Sequence, residues 1–131
     1  MKSVKRKKVS LPLFVLINKR LRKKWLTLNQ YNQWHYQTKS NCKIKFKNDI
    51  LSLLDFKIEG EVKIQYDYYA PDKRKRDLMN VVSVVDKFFQ DALVDAGCIE
   101  DDNTSIVKQV TCRYIAIDKN NPRLEATITK M

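Results

Sequence analysis

The order of apolar and polar positions along the chain predicts a mixture of strands and helices. Residues 9–17, VSLPLFVLI, make an apolar run in which Pro12 restricts a strand to an edge or early position, because proline donates no ladder hydrogen bond. From Tyr31 to Leu54 the residues Tyr31, Trp34, Cys42, Phe46, Ile50 and Leu53 recur as one stripe of a helix, with Lys39, Lys43 and Lys47 on another stripe. Gly60 interrupts that pattern. Glu61 to Tyr68 then alternates polar with apolar, placing Val62, Ile64, Tyr66 and Tyr68 on one face of a strand.

A basic turn, PDKRKRD, opens at Pro71 and leads into an amphipathic helix from about Leu78 to Ala96, stopped by Gly97. On a regular helix Leu78, Val81, Val82, Val85, Phe89, Ala92, Leu93 and Ala96 face a core. Asp77, Asn80, Lys87, Asp91 and Asp95 fall within about 80° of one another on another arc. Ile106–Ile117 and Leu124–Thr129 fit two further strands, and the DKNNP between them supplies turn residues for a hairpin. The expected fold is α+β, with a small mixed β-sheet and two main helices, and no internal repeat is present.

Length narrows this to one domain over residues 1–131 with a basic N-terminal segment. A chain of this size buries only about two-thirds of its unfolded surface, so a dimer that extends the core is physically helpful. Hydrophobic residues make up 44% of the chain, which is globular composition rather than that of a disordered basic tail. The apolar runs fall short of the roughly 20 residues a membrane-spanning helix needs, so no membrane role is expected. The basic start, MKSVKRKKVS, leads into Lys19 and Arg20 with no small-residue cleavage site and reads as mature sequence. Cys42, Cys98 and Cys112 are odd in number and widely spaced, unlike a disulfide framework or a zinc set, and fit a reducing cytoplasm.

Charge changes the picture most. Lys and Arg total 26 against 15 Asp and Glu, a net charge of +11 that calls for a polyanionic partner. The first 48 residues carry 14 of the basic residues and no acid. Five of the 15 acids, Asp91, Asp95, Glu100, Asp101 and Asp102, crowd into twelve residues near the end of the second helix. Carboxylates facing a phosphate backbone repel it unless a divalent cation sits between them. Basic surface plus clustered acids is therefore the requirement of a metal-dependent nuclease, the alternative being a solvated acidic turn on a generally basic protein.

The stretch APDKRKRDLMNVVSVVDKFFQDALVDAGCIEDDN, residues 70–103, resembles the RusA-type Holliday junction resolvases. That family carries a Pro-Asp and an arginine-rich turn, an Asp-Leu-Asp-Asn motif opening a helix, a lysine and an Asp-Ala-Leu on the helix, a glycine and an Asp-Asp pair. Pro71, Asp72, Lys73 to Arg76, Asp77, Leu78, Asn80, Lys87, Asp91 to Leu93, Gly97, Asp101 and Asp102 stand in those places. The closing PRLEATITKM is similar to the family's last strand, and the likeness covers residues 61–130 well and the first 60 only loosely.

The resemblance implies a RusA-like intertwined homodimer that resolves four-way DNA junctions by paired symmetric nicks in recombination and repair. It implies Mg²⁺, or Mn²⁺ in its place, and no organic cofactor. Asp77, Asp102, Lys87 and Asn80 become the catalytic candidates, and Asp77, Asp102, Asp101 and Asp91 the metal-ligand candidates. Lys73, Arg74, Lys75 and Arg76, with Lys19, Arg20, Arg22, Lys23 and Lys24, become the DNA-binding candidates.

Two features depart from the family. Met79 replaces the second acid of its motif, and a thioether is a poor ligand for a hard ion. Lys87 follows Asn80 by seven residues rather than three, a difference close to one helical turn. Asp77 also suits a helix N-cap, and Asp101 and Asp102 suit turn acids. The rival function is a non-catalytic basic DNA- or RNA-binding protein of the same fold, with a ribosome-associated or scaffold protein as a third reading.

Overall fold

The computed structural model describes residues 1–131. In chain order the elements are β1 (Lys2–Ser3), β2 (Arg6–Leu11), β3 (Phe14–Ile17), β4 (Arg22–Trp25), α1 (Leu28–Gln33), α2 (Tyr36–Ile50), β5 (Phe56–Lys57), β6 (Val62–Ala70), α3 (Leu78–Asp95), β7 (Val107–Ile117) and β8 (Arg123–Lys130). The result is α+β, with a mixed four-stranded sheet ordered β2-β8-β6-β7 and two small sheets, β1-β5 and β3-β4.

The strand with strict alternation forms as its pattern requires. Val62, Ile64, Tyr66 and Tyr68 of β6 are buried, while Lys63 between them is exposed. On the neighbouring strand Leu124, Ala126 and Ile128 lie opposite Tyr68, Tyr66 and Ile64. Helix α3 covers this face with Val81, Val82, Val84, Val85, Phe88, Phe89, Ala92 and Leu93, all buried. Phe89 meets Tyr66 edge-on at 6.3 Å, and these groups belong to one apolar cluster of 30 buried residues that also takes in Cys42, Phe46 and Ile50 of α2. Gly97 ends α3 at φ +78°, the left-handed conformation that closes a helix cheaply only without a Cβ.

One polar contact crosses this core. The buried Tyr66 hydroxyl donates to the Asp86 carboxylate at 2.5 Å, and Gln90 Nε2 donates to the same oxygen at 2.8 Å. Burial first, then the Asp86 charge, holds the Tyr66 phenol well above its usual range, so it stays a donor. At the surface of the sheet, Arg113 of β7 donates to Asp67 of β6 at 2.7 Å and depresses that carboxyl below the usual range.

Three expectations are corrected. The run 9–17 is two strands in different sheets: β2 pairs with β8, whereas β3 turns away to pair with β4. Pro12 lies at the break, where a residue without an amide donor leaves the ladder at no cost. The long stripe from Tyr31 is split by extended backbone at Trp34 and His35 into α1 and α2. Tertiary anchors explain the split: α1 is tied to α3, since the Asn29 amide donates to Asn80 Oδ1 at 2.9 Å and Lys87 Nζ donates to the Tyr31 hydroxyl at 3.2 Å. Finally, β7 and β8 do not form a hairpin. Both pair with β6, β7 in parallel and β8 antiparallel from the other side. Adjacent strands in sequence are often neighbours in space, but here α3 is the crossover that a parallel β6–β7 pair demands.

This topology leaves β7 at the sheet's edge. It is 11 residues long, and its apolar residues Val110, Tyr114, Ile115 and Ile117 are exposed, Tyr114 by 56%. Long edges with apolar side chains pair with other chains unless they are protected. No helix of the structure is long and apolar enough to cross a membrane.

Phe89 reports on the packing of α3 over the sheet. Phe89→Ala is expected to lower unfolding free energy by about 3–5 kcal/mol, the cost of deleting a buried aromatic and leaving a cavity, in urea denaturation monitored by circular dichroism. A loss below about 1 kcal/mol contradicts the packing, since a filled core does not tolerate that truncation.

Candidate nucleic-acid interface and carboxylate cluster

Two groups of side chains flank α3, one at each end. At its N-terminal end, the loop 71–76 is held by Asp72, which accepts from the Arg74 amide at 2.9 Å and pairs with Arg76 at 2.8 Å. Those contacts depress the Asp72 carboxyl, Arg76 contributing most. They leave the side chains of Lys73, Arg74 and Lys75 in no ion pair and exposed. Asp77 is the N-cap residue of α3, and its carbonyl accepts from the Asn80 and Val81 amides. Its carboxylate makes no capping bond, although the N-terminal dipole favours an anion there. A capping role therefore does not occupy the Asp77 side chain.

Asn80 is partly committed. Its Oδ1 anchors α1 through the Asn29 amide. Met79 is 58% exposed beside Asp77, with its sulfur 3.6 Å from Cys112 Sγ of β7, and forms a soft, uncharged flank. No carboxylate stands at this position.

Along the solvent face of α3 the acids meet the lysine stripe of α2. Lys43 pairs with Asp91 at 2.9 Å and Lys47 with Asp95 at 3.4 Å. Lys39 and Lys87 both lie over the Tyr31 ring, at 4.6 and 5.4 Å. Spacings of four residues on each helix bring these rows into register. Lys87 is exposed and tethered to Tyr31 rather than extended toward Asp77, which lies ten residues away, about 15 Å along the helix.

Beyond Gly97 the acidic loop is folded on itself. Asp101 accepts from the Asp102 amide at 2.7 Å and from Asn103 Nδ2 at 2.9 Å, so both its oxygens serve the turn. Asp102 faces Asp101 and Asp91. Partial desolvation first, then the approach of Asp101 and Asp91, raises its carboxyl above the usual carboxylate range.

The chain thus brings Asp91, Asp101 and Asp102 toward one another and keeps Asp77 apart. The 18 residues of α3 separate Asp77 from the acidic loop by about 27 Å. No group of three or more His, Cys, Asp or Glu side chains in one chain is arranged to hold a metal ion. The donor chemistry of Asp91 and Asp102, mutually repelling carboxylates, suits a hard cation such as Mg²⁺, but the number of donors does not close within one chain.

The remaining cations of interest lie on the β3–β4 hairpin. Lys19 and Arg20 are in its loop and Arg22, Lys23 and Lys24 on its second strand, with Lys23 Nζ 4.5 Å from the centre of the Phe14 ring. The root of the hairpin and the loop 71–76 share a groove lined by Trp25, Thr27, Gln30, Asp72, Arg74 and Arg76. Sequence reasoning did not anticipate Asp72 as the organiser of the basic loop or Tyr31 as the tether of Lys87. The spacing of Asp72 and Arg76 at four residues was a signal for the first, and nothing local signals the second. No known family model matches the chain, and no curated protein matches it at a significant level.

Asp102 supplies a test of the carboxylate cluster. Its folded-state pKa is raised, so the folded form keeps a proton that the unfolded form has lost, and its contribution to stability falls as pH rises through that window. Asp102→Asn is expected to raise the thermal midpoint at neutral pH, and this gain is expected to vanish near about pH 3, where carboxyls are protonated in both states. Equal midpoints for the two proteins at both pH values contradict the crowding of these acids.

Proposed function

We propose that this chain is a RusA-type endonuclease that acts as a homodimer on branched DNA in the cytoplasm and nicks four-way junctions in pairs. The observation that carries the reading is the pairing of an uncommitted Asp77 behind a loop of free cations with a carboxylate cluster at the other end of the same helix. Asp102, though exposed, stands near Asp91 and Asp101, and a divalent cation between these carboxylates would offset their repulsion.

The exposed β7 edge supports the dimer. β7 starts at the acidic-loop end of α3 and finishes at the Asp77 end, because it runs parallel to β6 while α3 returns between them. Antiparallel pairing of β7 with its copy about a two-fold axis sets the acidic loop of each chain at the same end of the joined sheet as the other's Asp77. It also covers Val110, Tyr114, Ile115 and Ile117, and each site draws donors from two chains. The two sites are related by symmetry, as paired cuts across a junction require.

In each site Asp77, Asp91 and Asp102 would hold Mg²⁺ or Mn²⁺, which lowers the pKa of bound water and offsets charge on the phosphate. The loop cations Lys73, Arg74 and Lys75 grip the backbone and fix its register. Asn80, whose amide nitrogen is uncommitted, can orient the scissile phosphate, and Lys87 neutralises a neighbouring one. Met79 favours the rival reading, a binder that does not cut, because it removes one oxygen ligand beside Asp77.

A labelled four-way junction incubated with Mg²⁺, Mn²⁺ or EDTA separates the two. Symmetric nicks in metal, absent in EDTA and reduced by at least about 100-fold in Asp77→Asn and Asp102→Asn, are the expected result. Tight binding with no nick in either metal contradicts the enzyme, and Met79→Asp then shows whether the lost acid is the cause.

A further inference from the structure

The β3–β4 hairpin concentrates positive charge that nothing in the chain offsets. Lys19, Arg20, Arg22, Lys23 and Lys24 fall within six residues, and none of them joins an ion pair. Between the two halves of this run stands Leu21. Ile17 pairs with Arg22, so residues 18–21 are the loop and Leu21 is its last member, 63% exposed.

The backbone there does not suit a leucine. Asn18 and Leu21 both have left-handed conformations, φ +66° and +49°. Asparagine tolerates this, and its side chain closes the turn by accepting from the Arg20 amide at 2.9 Å. A large L side chain does not, and glycine or asparagine is the usual occupant. Leu21 pays a conformational cost and, 63% exposed, recovers little of it by burial.

The tip stands on a firm base. Val15 is buried in the main cluster, and Phe14 packs against Trp25 with ring centres 5.1 Å apart. A hairpin that only gripped phosphates would need the cations and no exposed leucine. An apolar side chain between cations is what enters a base stack: it parts two base pairs while the charges hold the backbones on each side. The branch point of a junction is where this is least costly, because two of the four strands exchange between helices there and the stack is already discontinuous along them.

We propose that the β3–β4 hairpin is a wedge for branched DNA, with Leu21 entering the stack at the branch point and Lys19, Arg20, Arg22 and Lys23 holding the flanking phosphates. The proposal rests on the branched-DNA reading above and adds to it the element that distinguishes a branch from a plain duplex. The root of the hairpin and the loop before Asp77 meet in one groove, where Arg74 and Arg76 stand beside Trp25. An anionic lipid surface would also attract these cations, but a single leucine buries too little apolar area to anchor a protein there.

The test uses a four-way junction carrying 2-aminopurine at the branch point, a linear duplex carrying it centrally, and phosphatidylserine–phosphatidylcholine vesicles. Leu21→Gly removes the side chain and relieves the left-handed strain, so it folds. Wild type is expected to brighten the junction probe and not the duplex probe. Leu21→Gly is expected to bind the junction within about threefold of wild type while losing most of the brightening, since phosphate contacts carry affinity and the wedge carries distortion. Full brightening by Leu21→Gly overturns the wedge and leaves the DNA reading intact. Wild type that binds vesicles and ignores both DNAs overturns the wedge and the DNA reading together.

Discussion

The burial of α3 on the face of β6 and β8 sets where every other element of the molecule lies. Eight side chains of that helix are buried, and they fix its length, direction and height above the sheet. Because β6 and β7 are parallel, a crossover must span the full strand length, and α3 is that crossover. The same packing that stabilises the core therefore holds Asp77 and the acidic loop at opposite ends of a straight helix. Within one chain these two groups are thus about 27 Å apart along the helix, while β7 has no strand partner on its outer side.

Charge is divided by the same framework. The lysines of α2 that meet α3 are engaged with its acids, a set of exposed pairs worth little individually to stability. The cations of the hairpin and of the loop 71–76 are not, apart from Arg76. Lys19, Arg20, Arg22, Lys23 and Lys24 on the hairpin and Lys73, Arg74 and Lys75 on the loop thus lack an internal ion-pair partner, and the root of the hairpin meets that loop in one groove. A polyanion is the ligand that such an arrangement stabilises, and the carboxylates at the end of α3 would oppose it without a cation between them.

Much of the fold could be read along the chain, and the reasons for the rest are specific. β6 and α3 each carry one period over many residues, bounded by Gly60, Pro71 and Gly97, and both formed nearly as read. The stripe from Tyr31 concealed a break because no glycine or proline marks Trp34 and His35; contacts of Asn29 and Tyr31 with Asn80 and Lys87, some fifty residues away, tie α1 to α3. The turn residues between β7 and β8 say that the chain reverses and not which neighbour it then finds, and both strands pair with β6. For the site, residue types gave the candidates and structure sorted them: Asp101 serves its own turn, Asp91 is paired with Lys43, and the Asp77 side chain is uncommitted. The exposed Leu21 was invisible as a feature, since only the backbone angle and the lack of burial set it apart.

In the dimer proposed above, each site takes Asp77 from one chain and Asp102 from another, an arrangement that mixing two inactive variants distinguishes from self-contained sites. In a dimer of Asp77→Asn with Asp102→Asn, a shared arrangement leaves one site with both native residues and the other with neither. Restored nicking of a single strand of the four-way junction, without paired cuts, is the predicted result. Mixed dimers as inactive as either parent would rule out shared sites, since sites contained within single chains would then each lack one carboxylate.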